Sequence, residues 1–157
     1  MPALSADLKK LLTSTKLIVF PEDYVAVYLP TGIKTIPGEW FLPSTTRFAT
    51  VIQEPKLVTM IVPLRKWLRM QSMFEKCDVS DALKVISFDV KLSLIAGSFR
   101  IAIASLLSEH NISSLPISSF KRYHIIVPKK DLPRTVKILR RFLDSAKRKQ
   151  AGSPKKS

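Results

Sequence analysis

At 157 residues the chain suits one domain or two small lobes sharing a core, and 46% apolar content supplies ample material for burial. Twenty-six Lys and Arg against twelve Asp and Glu give a net charge of +14, which favours polyanionic partners before any fold is assigned. Cys77 is the only cysteine, which excludes an internal disulfide and a thiolate zinc site; with no signal-peptide pattern at the N-terminus, the expected home is the cytoplasm. The longest apolar run, Leu92 to Leu107, is broken by Arg100 and falls short of the roughly 20 residues of a membrane span, so it reads as core.

Taken along the chain, Met1 to Lys16 reads as a short amphipathic helix with Leu4, Leu8, Leu11 and Leu12 on one side. Lys16–Phe20 and Tyr24–Leu29 read as two strands around Pro21-Glu22-Asp23, which points to a hairpin. Pro30 to Thr46, rich in Pro and Gly, is expected to be a long ordered loop pinned by Ile36, Trp40 and Phe41. Phe48–Ile52 and Val58–Pro63 follow as strands around Glu54-Pro55-Lys56, Arg65–Lys76 as a short helix, and Asp78–Asp81 as the link between two halves.

The second half starts with strand Leu83–Val90 and a helix from Ser98 to His110 that is too apolar for an exposed one. Ile112–Ser119 and Tyr123–Val127 read as further strands. Asp131 is placed to cap a last helix carrying Leu132, Val136, Leu139 and Leu143 on one face, with Pro133 in its first turn. From Ser145 onward no apolar period remains, and a disordered basic tail is expected.

Gly97 before a helix, Ile112 after it, then Ile117-Ser118-Ser119 and Ile125-Ile126-Val127 ahead of a closing helix, resembles the ACT-type regulatory domain. Tyr24 to Pro30, Trp40, Phe48 and Ile61-Val62-Pro63 extend the likeness to tandem ACT-like proteins, the group of the cytosolic arginine sensors and aspartate-kinase regulatory regions, over residues 16–143. The resemblance implies an α+β fold of two ferredoxin-like βαββαβ lobes with antiparallel sheets and helices on one face. Residues 16–80 and 81–144 would be the lobes, flanked by the helix 1–15 and the basic tail 145–157. It further implies a non-enzymatic regulatory role, no cofactor, an amino acid or similar effector held between lobes or subunits, and pairing with a second copy or a partner protein.

The expected effector site is Gly97, Ser98 and Phe99 with Ser118, Ser119, Lys121 and Arg122. A glycine there permits close backbone approach, and the amides opening the helix can receive a carboxylate. Where the family carries acids after its Ile-Ser-Thr stretch, this chain has Phe120-Lys121-Arg122-Tyr123-His124, and Lys121, Arg122 and His124 favour a small anionic metabolite.

Charge carries the alternative. Residues 1–60 hold six basic and five acidic residues, leaving twenty basic and seven acidic for the rest. Arg134, Lys137, Arg140, Arg141, Lys147, Arg148 and Lys149 are placed to track a phosphate backbone, which would make this a nucleic-acid- or ribonucleoprotein-binding protein. No zinc-finger spacing, RNA-binding aromatic signature, phosphate-cradling glycine loop or nucleophile motif is present, and two histidines so placed make no metal site. The chain therefore reads as a regulatory protein and not as an enzyme.

Overall fold

The computed structural model describes residues 4–30, 38, 46–91 and 96–152. It is an α+β protein with antiparallel strand pairs and, among the described residues, four α-helices, dividing into two units: residues 1–19 with 86–157, and residues 20–85.

In the first unit, strand β1 (Lys16–Val19) pairs antiparallel with the end of β6 (Leu83–Asp89), and β7 (Leu115–Ser118) pairs antiparallel with β8 (Tyr123–Pro128), giving the order β1-β6-β8-β7. Helices α1 (Ala6–Ser14), α3 (Gly97–Glu109) and α4 (Leu132–Ala151) supply the rest of its core. Leu8 and Leu12 of α1, Phe99, Ile103 and Leu107 of α3, and Leu139, Leu143 and Ala146 of α4 join Ile86, Phe88, Tyr123, Ile125 and Val127 of the strands. At the centre Phe88, Phe99 and Tyr123 contact one another, two of the three pairs edge to face.

In the second unit, β2 (Tyr24–Pro30) lies between β4 (Leu57–Pro63) and the two-residue β5 (Asp78–Val79), with β3 (Thr50–Glu54) outside β4, so the order is β3-β4-β2-β5. Alternate residues Val25, Val27 and Leu29 meet Met60 and Val62 on one face. Trp67 of α2 (Leu64–Met70) closes that core and stacks on Phe74 at 5.8 Å.

Several elements depart from the sequence reading. The expected hairpin of β1 and β2 does not form: β1 pairs with β6 and β2 with β4, where their apolar faces are buried, and the Pro21–Asp23 corner is held by the buried ammonium of Lys84. Helix α1 (Ala6–Ser14) and strand β1 (Lys16–Val19) belong to the same unit as β6's end, α3, β7, β8 and α4. The tail expected from Ser145 is helical to Ala151, since Ala146 continues the buried row of Thr135, Leu139 and Leu143. Asp131 occupies the N-cap position of α4 without a side-chain cap; the Thr135 hydroxyl donates to its carbonyl instead. The expected strand from Ile112 starts only at Leu115, because α3 ends in a Schellman turn. Asn111 adopts φ 53°, its amide donates to Ser108, and the Ile112 amide reaches back to Leu107. The proline-rich loop with Ile36, Trp40 and Phe41 lies outside the described residues.

Candidate functional site

Three segments of the first unit meet at one end of its strands. The first is the opening of α3. Ala96 stands at its N-cap with no side-chain cap hydrogen bond, and no acid lies in its first turn, so among the described residues no side chain caps the amides of Gly97, Ser98 and Phe99 that open this thirteen-residue helix. The second is the β7–β8 turn. The Ser119 amide donates to the Arg122 carbonyl at 2.9 Å and the Arg122 amide to the Ser119 hydroxyl at 3.1 Å, which closes the turn and leaves Phe120 70% exposed at its tip. The third is Asp89, the last residue of β6.

Two arginines join these pieces. Arg100, in the first turn of α3, donates from Nε to the Ser118 hydroxyl at 3.0 Å, which ties the helix opening to the end of β7. Arg122 reaches Asp89 at 3.3 Å, which ties the turn to β6 and places the start of β8 beside the end of β6. Both partners of that pair are about half exposed, so it adds little stability and an incoming carboxylate or ammonium can replace either member. On its other side Asp89 lines a groove of about 590 Å³ with Asp7, Lys10, Leu11 and Ser14 of α1, Lys16 of β1, and Val90 and Lys91. Three ammonium groups and two carboxylates around one groove suit a small ligand carrying both charges or an excess of negative charge.

The residues expected to form the site lie at one end of the first unit, in differing surroundings. Ser98, Ser118, Ser119, Lys121 and Arg122 are all at this end and exposed. The Phe99 side chain is wholly buried against Phe88 and Tyr123, so only its amide faces outward chemistry. At Gly97 a Cβ would meet nothing within 4 Å and φ is not left-handed, so neither the turn nor a close approach requires glycine. His124 is buried, and burial first and the Arg122 charge second lower its pKa, so it contributes no positive charge at neutral pH.

Asp89 and Arg100 were not expected. Arg100 interrupts an apolar run, and Asp89 ends an apolar strand whose register the sequence leaves open; only the pairing of β1, β6, β7 and β8 assembles them. The seven cations of the alternative reading all lie on α4 and are exposed, Arg134 donating to the His110 carbonyl. Among the described residues no group of three or more His, Cys, Asp or Glu is placed to hold a metal ion, and no helix is long and apolar enough to cross a membrane.

No protein-family model matches the chain, and no curated protein matches it. Solved structures do. A protein of unknown function from Vibrio cholerae, described as a possible transport protein, superposes with a TM-score of 0.62 at 23% identity over 87% of this chain and 95% of its own. A protein from Agrobacterium tumefaciens gives 0.65 at 17% identity over 81% and 87%. The ligand-free regulatory subunit of aspartate kinase from Thermus thermophilus gives 0.53 at 10% identity over 80% and 96%. At these identities the likeness is one of fold: the chain shares the α+β architecture of aspartate-kinase regulatory regions.

Proposed function

We propose that this chain is a non-enzymatic regulatory protein of two ACT-type lobes that binds an amino acid or related small anion. The observation that carries the reading is the α3 opening, without a side-chain cap and flanked by Arg100, Ser118 and the exchangeable Arg122–Asp89 pair. An effector carboxylate would accept the amides of Ser98 and Phe99 together with the Arg122 guanidinium, while Asp89, released from Arg122, would take an ammonium. The fold shared with aspartate-kinase regulatory regions supports a sensing role.

The test is thermal unfolding of the full chain against the twenty L-amino acids and a set of di- and tricarboxylates. A binder present at 100 times its dissociation constant adds about 2.7 kcal/mol. Arg122→Gln is expected to abolish the shift for every binder. Asp89→Asn is expected to abolish it for amino acids and to spare simple anions. A panel without any stabilising compound, or shifts that survive Arg122→Gln, would remove this site from consideration.

A further inference from the structure

Helix α4 carries Arg134, Lys137, Arg140, Arg141, Lys147, Arg148 and Lys149 against the single acid Asp144. All seven cations are exposed, and among the described residues no carboxylate forms a salt bridge with any of them. Arg134, Lys137, Arg141 and Arg148 are separated by three, four and seven residues. At about 100° per residue they fall in one row within roughly 60° of arc, running about 21 Å along the helix. Helix stability accounts for Arg148 in the last turn but not for Arg134, which stands in the first turn, where the helix dipole disfavours positive charge. Seven like charges on one rod repel each other, and a regularly charged anionic partner removes that repulsion.

We infer that the exposed face of α4 is a docking surface for the phosphate backbone of a nucleic-acid duplex. A duplex offers one negative charge per ~1.7 Å of axis over its two strands, so the four cations of the row have phosphates within reach along its whole length. A lipid surface fits less well. An amphipathic helix binds a membrane by inserting its apolar face, and here Leu139, Leu143 and Ala146 are already buried in the protein's own core. The row presents cations without an aromatic side chain among them, so it contacts backbone and reads no base sequence. This surface is separate from the effector site and does not depend on it.

The experiment measures binding of the full chain to labelled 20-base-pair DNA and RNA duplexes between 50 and 200 mM salt. Four phosphate contacts give a slope of log K against log salt of about −3.6, a loss of roughly 150-fold over that range. The triple variant Lys137→Gln/Arg141→Gln/Arg148→Gln, which keeps Arg134 on the His110 carbonyl, is expected to reduce the slope to about −0.9. The control Arg140→Gln/Lys147→Gln/Lys149→Gln removes the same charge off the row and is expected to keep most of the wild-type slope. Both variants change exposed positions, and their unfolding midpoints verify the fold. Equal losses in the two variants, an unchanged slope in the first, or tighter binding to phosphatidylserine vesicles than to either duplex would overturn the inference.

Discussion

The ammonium of Lys84 is buried, yet it meets three oxygens: the carbonyls of Pro21 and Glu22 at 2.8 and 2.9 Å and the Asp23 carboxylate at 3.3 Å. One side chain from β6 therefore holds the corner between β1 and β2. Lys84→Met keeps the apolar stem and removes the donor, and is expected to cost about 2–4 kcal/mol in urea unfolding, because the corner's oxygens lose their partner. A variant within 0.5 kcal/mol of wild type, by rough estimate of what surface changes do, would show that the corner stands without it. His124 acts through its protonation. Its folded pKa lies below the ordinary 6.5, with burial the main cause and Arg122 the next. The unfolded chain then binds more protons near neutrality, so the stabilising contribution is present above the unfolded value and is lost as pH falls through about 6.5 towards the folded one. Between pH 7.5 and 5.5 the unfolding midpoint should fall more steeply in wild type than in His124→Gln; parallel profiles would mean that other groups set the slope. Neither role was readable from the sequence: Lys84 has the look of a solvent-facing strand residue, and His124 of one more cation beside Lys121 and Arg122. The candidate site is legible in the sequence only in part for the same reason. Ser118 and Arg122 sit in a turn that short-range chemistry announces, whereas Asp89 reaches Arg122 only through strand pairing between distant segments.

At the scale of elements, periodicity located the helices well and placed most of the strands, while partners and ends escaped it. The expected helix Ser98–His110 lies within one residue of α3 at each end, because its apolar positions recur with a helical period and the turn after it is closed by local bonds at His110 to Ile112. Strand partners are another matter. β1 and β2 flank a corner with turn chemistry and still do not pair, since pairing is decided by which apolar faces are buried across the whole unit. The end of α4 was missed because Ala146 is a weak apolar signal among Lys, Arg and Ser, although it is 4% exposed and completes the row of Thr135, Leu139 and Leu143. Truncation distinguishes the two readings of this segment. A chain ending at Gly152 should unfold like the full chain. One ending at Leu143 loses Ala146 and the last two turns, and should be less stable by about 1–2 kcal/mol given the methyl buried and the hydrogen bonds lost. Equal stability of the two truncations would return residues 144–151 to the status of a tail.

Across the whole molecule the dominant quantity is the net charge of +14, which remains after all twelve acids are set against the twenty-six Lys and Arg and which pairs such as Arg47–Glu22, Lys84–Asp23 and Arg122–Asp89 leave unchanged. Unanswered like charge destabilises a folded chain relative to an expanded one, and salt screens it over a Debye length of about 10 Å at 0.1 M. Raising sodium chloride from about 10 to 150 mM should therefore raise the unfolding midpoint by about 2–4 °C, the shift that ~1 kcal/mol produces in a chain of this size. A fall would mean that attractive pairs outweigh repulsion. Replacing chloride by sulfate at equal ionic strength separates screening from binding. Sulfate stabilises most proteins by exclusion from their surface, and that part is common to wild type and to Arg122→Gln. A dianion seated at the opening of α3 adds a saturable increment that requires the Arg122 guanidinium. The wild type should thus gain more from sulfate than the variant, with the difference levelling off as sulfate rises. If the two gain equally at every concentration, the charge of this protein acts as a diffuse field, and the end of the first unit holds no anion more tightly than the rest of the surface does.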